Sequence, residues 1–205
     1  TAKKKFSFCT PIVIDVEGRR QIISPASDYV FAYDLSGKQI WKSHYPGGYS
    51  VVPRPLYANG LIYVSSGYDR PVVYAVRPTG SGDVTETHIV WKTDKNAPHN
   101  SSPIVVGDLF FMAADTGVVS CLNARSGELI WRERVARQTS SSLLHASGRI
   151  YLIDEQGKTY VFAATKSYKL LAENDLSDRT LASFAADDGT LYVRTASALW
   201  RIGEK

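Results

Sequence analysis

The 205-residue chain carries 24 Lys and Arg against 20 Asp and Glu, a formal net charge of +4, with 44% hydrophobic and 21% charged residues. That balance is ordinary for a soluble globular domain long enough to bury a core. No run approaches the roughly 18 consecutive apolar residues of a membrane helix, and no charged-then-apolar leader opens the sequence, so any signal peptide is expected to lie outside it. Only Lys3-Lys4-Lys5 clusters positive charge. The other cations are scattered through turns and strand edges, which argues against a nucleic-acid partner.

Twelve Tyr and a single Met suit strands better than helices, and the chain reads as a repeat of four short strands, A to D. Repeat one runs through 10–13, a Glu17-Gly18 turn with a longer link into 21–23, then 30–33, and closes on Trp41. Repeat two has 54–57, an Asn59-Gly60 turn, 61–64, 72–76 and Trp91. Repeat three has 102–105, Gly107-Asp108, 109–112, 118–122 and Trp131. Repeat four has 141–144, Ser147-Gly148, 149–152, 159–163 and Leu171. Repeat five has 182–185, Asp188-Gly189, 190–193 and 198–202, with no closing strand. Asn-Gly and Asp-Gly are strong hairpin signals, because both central positions of a type I′ turn need positive φ. No segment of helical period competes with these strands.

The closing residues lie 50, 40 and 40 positions apart. A period near 40 built from four strands predicts an all-β fold, a β-propeller of four-stranded antiparallel blades. About five blades are expected within one domain, at 9–42, 50–92, 101–132, 140–172 and 181–205, the fifth lacking its outer strand. The strand count predicts a piece of a larger ring. The alternative is a five-bladed ring whose closing strand is improvised by 4–8. Repeat two carries the main insertions, 67–71 between strands B and C and 78–88 between C and D. Insertions of this kind form loops suited to partner binding. Arg54, Tyr68, Asp69, Arg70, Asp83 and His88 are the candidate partner-binding residues, with strand addition to an exposed edge as one docking mode.

Ala32-Tyr-Asp34, Gly37 and Trp41, and again Leu122-Asn-Ala-Arg-Ser-Gly127 with Trp131, follow a pattern of Ala-x-Asp-x-x-x-Gly-x-x-x-Trp type. This resembles the tryptophan-docking repeat of pyrroloquinoline-quinone-like β-propellers, shared by quinoprotein alcohol dehydrogenases and BamB-like outer-membrane assembly proteins. The resemblance covers essentially the whole chain. It implies that Trp41, Trp91 and Trp131, with the turns at Gly37 and Gly127, staple each blade to the next. It further implies a ring of seven or eight blades. Repeat two replaces the Gly turn with its insertion, and repeat four has Lys166-Ser167 and Leu171, which implies a weaker contact there.

The dehydrogenase branch implies a quinone beside calcium, an aspartate base and commonly adjacent cysteines. Calcium takes about 6–8 oxygen ligands. The acidic pairs Asp154-Glu155 and Asp187-Asp188 fall in strand ends and turns, and Cys9 and Cys121 are far apart in sequence, outside any Cys-x-x-Cys. His44, His88, His99 and His145 stand singly, each in a different repeat segment and without metal-ligand spacing. Ser140, Ser141 and Ser142 lack a nucleophile-elbow frame and occupy the repeat position of Ser101 and Ser102, which places them at a strand start on the central channel. The expectation is a non-catalytic protein-interaction scaffold with no metal site or cofactor. The BamB-like resemblance implies the bacterial periplasm or envelope, and the alternative is a relative of a quinoprotein dehydrogenase.

Overall fold

Short strands joined by tight turns fold the chain into five sheets in sequence order, antiparallel but for one short parallel pair at the edge of the first. The computed structural model describes residues 6–203; Lys3, Lys4 and Lys5 lie outside the described residues. The chain divides into two compact units, one reaching to His99 and including Ala124–Gly127, the other taking Asn100–Asn123 and everything from Glu128 onward.

In the first unit, blade one is β1 (Ile12–Val16), β2 (Arg19–Pro25), β3 (Tyr29–Tyr33) and β4 (Gln39–His44). Blade two is β5 (Leu56–Ala58), β6 (Leu61–Ser65), β7 (Val73–Val76) and β9 (Ile89–Thr93). Between β7 and β9 the chain forms β8 (Gly82–Asp83) and the one-turn helix α1 (Thr85–His88). In the second unit, blade three is β10 (Ile104–Val106), β11 (Leu109–Ala113), β12 (Val118–Asn123) and β13 (Leu129–Arg134). Blade four is β14 (Leu144–Ala146), β15 (Arg149–Ile153), β16 (Lys158–Ala163) and β17 (Leu170–Asp175). Blade five has β18 (Ala185–Asp187), β19 (Thr190–Arg194) and β20 (Leu199–Ile202), three strands among the described residues.

The A–B hairpins turn as their residues require. Asn59 and Gly60 sit at φ 53° and 73°, and Asp188 and Gly189 at 40° and 72°, the paired positive φ that matches the strand twist. Each C–D pair carries one register shift, after Ala32, Ala75, Cys121 and Val161. At that step a residue of strand D is skipped, and the next one faces the small residue of strand C: Trp41 opposite Ala32, Trp91 opposite Ala75, Trp131 opposite Cys121. The bulge aims the indole, and the small partner leaves room for it.

Several boundaries differ from the sequence expectation. Strand A begins two or three residues after its polar start, at Ile12, Leu56, Ile104, Leu144 and Ala185. Repeat one has no longer link, since β2 starts directly after Gly18. Strand D runs through its Trp instead of ending on it. In repeat four the residue facing Val161 is Ala172, and Leu171 falls in the bulge, 44% exposed. The constant spacing of 40 misplaces this position because the C–D turn of blade four is one residue longer than that of blade three. Residues 6–8 run parallel to the link after β4, with Ser7 facing Val51; of the 4–8 segment considered as a closing strand, Lys4 and Lys5 lie outside the described residues.

Each unit has its own core. In the first, Ile14, Ile23, Val30, Trp41, Val51, Ile62 and Val84 pack together; in the second, Phe111, Val119, Cys121, Ile150, Leu152 and Phe162 do. Strands β6 and β11 are buried along their whole length. Each fully buried aliphatic or aromatic side chain contributes about 1.5–3 kcal/mol.

Candidate functional site

The three Trp side chains reach the same part of the following repeat, the turn after its strand C. Trp91 Nε1 donates to Ala124 O at 2.8 Å, and Tyr63 Oη donates to the same carbonyl at 3.1 Å. A Cβ on Gly127 would lie 2.7 Å from the Trp91 ring, so this turn residue has to be glycine for the indole to seat. Trp131 Nε1 donates to Thr165 O at 3.0 Å, and its ring meets Phe111, Phe162 and Tyr168 with centroids 5.4–6.1 Å away. Trp41 makes the contact indirectly. Its Nε1 donates to Gln21 Oε1 at 2.9 Å, and Gln21 Nε2 donates to Pro78 O at 3.0 Å. The insertion begins at Pro78, so the buried Gln21 amide spans what a turn carbonyl reaches directly in the later repeats. Gly37 meets nothing within 4 Å of a Cβ, and its φ of +86° is what its turn requires.

The insertion 78–88, expected as an irregular loop, is folded against blade one. β8 pairs in parallel with β4, Val84 N donates to Lys42 O at 2.9 Å, and the Thr85 hydroxyl accepts from His44 N at 2.9 Å. Val84 is 3% exposed within the core. The segment therefore covers the outer edge of blade one, a place where an unpaired strand invites association. Asp83 and His88 are held inside this structure. The Thr85 hydroxyl and N–H hold the exposed Asp83 carboxyl below the usual carboxylate range, Lys42 Nζ lies 3.6 Å away, and the His88 ring sits 2.7 Å from Thr87 Oγ1.

Antiparallel pairing puts the two insertions at opposite ends of blade two. The B–C loop 67–71 precedes β7 and the C–D segment 78–88 follows it, so a strand of 4 residues, about 13 Å, separates them. Tyr68, Asp69 and Arg70 are exposed at the first end, Asp83 and His88 belong to the second, and no single contact surface joins all five. Arg54 is exposed one residue before the strand-A proline of blade two, the repeat position of Ser102. Tyr68 is ordered by edge-on contacts to Tyr49 and His99, 5.5 and 6.4 Å between centroids.

Most of the candidate hydroxyl and acidic groups bond within strand starts and turns, while the Ser101 hydroxyl is buried without a partner among the described residues. Ser102 N donates to Ser142 Oγ at 3.0 Å and Ser142 N to Ser183 Oγ at 2.8 Å, a ladder through equivalent positions. Ser141 Oγ donates to Ile153 O and Ser140 Oγ to Glu155. Asp154 is 1% exposed; its Oδ1 accepts the N–H groups of Gln156 and Lys158, and its Oδ2 the Tyr160 hydroxyl. These oxygens are committed to the turn, and Asp188 occupies the positive-φ position of a hairpin. Neither acidic pair fits a calcium–quinone cradle. Among the described residues no three His, Cys, Asp or Glu side chains come together to hold a metal. His44 lies against the Tyr29 ring, while His145 is exposed on β14.

Both cysteines are free thiols. Burial pushes each up to about 12, against a smaller opposing pull from Arg54 at Cys9. Cys121 lies in β12, but Cys9 precedes β1 and donates to Pro53 O at 3.0 Å. The thiolate is the reactive form, so at pH 8 the native protein should react very slowly with a chromogenic disulfide and release both thiols on unfolding. Fast reaction of either thiol in the native state would contradict this assignment.

The residues singled out by sequence thus divide into blade contacts and loop-end surfaces. Two contacts have little local signal: Gln21, which bridges Trp41, and Val84, a lone Val in a polar stretch that anchors the insertion. The sequence matches the family described as outer membrane protein assembly factor BamB over residues 72–201, well over half of the chain. The BamB of Escherichia coli K12 is 26% identical over 100 residues, 49% of this chain and 25% of that protein; the Yersinia pestis protein is 26% identical over 95 residues. The chain spans about a quarter of the curated relatives it matches. The crystal structure of BamB from Moraxella catarrhalis superposes with a TM-score of 0.72 at 13% identity, covering 98% of this chain and 59% of that one. The quinohemoprotein alcohol dehydrogenase ADHIIG from Pseudomonas putida HK5 gives 0.60 at 14% identity, covering 75% and 29%. Both likenesses show the β-propeller fold. On its sequence match, its blades and its docked tryptophans, the chain belongs to the BamB family of PQQ-like repeat propellers.

Proposed function

We propose that the chain is a non-catalytic protein-interaction scaffold of the bacterial envelope, working in outer-membrane protein assembly as the BamB proteins are named to do. The observation that carries this reading is the family match over residues 72–201. It is supported by the fate of the chemistry-bearing side chains, since the indoles and the Asp154 carboxylate are consumed by blade and turn contacts. The reading includes a propeller of about seven or eight blades in all; this chain covers 59% of the Moraxella structure. Partner contact by strand addition belongs to this reading; among the described residues β20 is an edge strand, on the side where an outer strand of blade five would pair. Among the described residues no helix is long and apolar enough to cross a membrane.

Deleting the segment encoding 72–201 in its host should lower the amount of assembled outer-membrane protein, and unchanged amounts would remove the scaffold reading. The fold likeness to a quinohemoprotein dehydrogenase gives the competing reading its own test. Titration with pyrroloquinoline quinone and calcium should produce no saturable heat, whereas stoichiometric binding would favour the enzyme.

A further inference from the structure

We infer that an aromatic ledge in the first unit, made by Phe6, Phe8, Val52 and Tyr68 and flanked by Arg54 and Arg70, docks an extended acidic segment of a partner protein. The inference rests on the scaffold reading and names one surface and the partner chemistry it fits.

Residues 6–8 form a short parallel pairing with the link after β4. Phe8 N donates to Val51 O at 2.9 Å and Ser50 N to Phe6 O at 2.6 Å, with Ser7 facing Val51. Neighbouring residues of extended chain point to opposite sides. Ser7 turns inward, its Oγ donating to Pro25 O at 2.8 Å, and Val51 is fully buried. Phe6, Phe8 and Val52 therefore share the outer side, and they are 67%, 68% and 40% exposed. The two side chains leave the backbone about 7 Å apart, the spacing of alternate side chains on an extended peptide.

The same link connects the ledge to the B–C loop. Tyr49 faces Gly67 in a second parallel bridge, and Tyr68 N donates to Tyr49 O at 3.1 Å. The Tyr68 ring remains 58% exposed while Tyr49 and His99 hold its orientation. Held in that way, the ring loses little side-chain entropy on contact. The core beneath is already closed by Tyr45 and Val51, at 1% and 0% exposure, so the outward rings add little to folding. Exposed aromatics beside arginines are the composition of interface hot spots.

Two features set the partner chemistry. In the three segments that build the ledge, 6–9, 49–54 and 67–71, the charged residues are Arg54, Asp69 and Arg70, two cations against one anion. Phe6 O and Phe8 N are used toward the link, so the N–H and C=O of Ser7 point to the opposite edge, where an extended segment can align its main chain. An acidic strand with alternating aliphatic residues satisfies both features.

The probe is a fluorescent peptide alternating Leu or Val with Glu, compared by anisotropy with the same peptide carrying Lys for Glu. The Glu peptide should bind, and the Lys peptide should bind at least about tenfold more weakly. The double variant F6S/F8S should weaken binding about tenfold while keeping the melting temperature, because both rings are exposed. R54E/R70E should reverse the charge preference. Equal binding of the two peptides, indifference to F6S/F8S, or a concentration-dependent dimer abolished by F6S/F8S would each overturn the inference. These readouts use purified protein and defined peptides, so a negative result here leaves the host deletion result standing, and the converse also holds.

Discussion

Trp41→Ala is expected to lower stability by about 3–5 kcal/mol, the usual range for emptying a buried aromatic site. Trp41 is fully buried among Ile23, Val30 and Val84, and its Nε1 donates to Gln21. Alanine would open a cavity and leave the buried Gln21 Oε1 without its donor, while Gln21 stays bound to Pro78 O. Trp41→Phe separates the two effects: it keeps much of the packing and loses the hydrogen bond, an expected loss of about 1–3 kcal/mol. Trp131→Ala should fall in the same range as Trp41→Ala, since its indole meets Phe111, Phe162 and Tyr168 and bonds Thr165 O. Denaturant midpoints measure all three. An unchanged midpoint for either alanine variant would sink the view that these indoles hold neighbouring blades together.

The second large effect belongs to Gly117, in the B–C turn of blade three. Its φ is +81°, and a Cβ there would overlap the carbonyl oxygens of Ala136 and Arg137 in the link leaving β13. The link cannot simply retreat, because Val135 N and Ala136 N both donate to Gly117 O. Gly117→Ala should therefore cost at least about 3 kcal/mol, combining strained φ with a backbone collision. Gly18→Ala is the control. Its φ is +78°, but a Cβ meets nothing within 4 Å, so the expected loss is only about 1–2 kcal/mol. Equal losses in the two variants would mean that the close crossing contributes nothing. Gly157 repeats the arrangement in the B–C turn of blade four, against Asp178.

Much of this architecture is legible in the residues because its signals are local. Asn59-Gly60 and Asp188-Gly189 set their hairpins through backbone preference alone. Alternation in 12–16 sets which side of β1 is buried. The Trp spacing gives the blade period, and the absence of a closing strand in repeat five matches a three-stranded sheet among the described residues. What was missed depends on pairing between distant segments. Leu171 keeps the spacing of 40, yet one extra turn residue moves Ala172 into the Trp register. Register is a relation between two strands, and no single strand contains it.

The candidate site shows the same division. The sequence by itself determined the strands, the turns and the repeat, since these follow from side-chain size, periodicity and φ preference. Only the tertiary structure decided that 78–88 closes the edge of blade one, that Gln21 bridges Trp41 to Pro78, and that the two insertions lie at opposite ends of blade two. It alone paired Ser7 with Val51 and Tyr49 with Gly67. The physical reason is that hydrogen-bond partners and burial are assigned by the folded backbone, which joins residues that no local pattern connects.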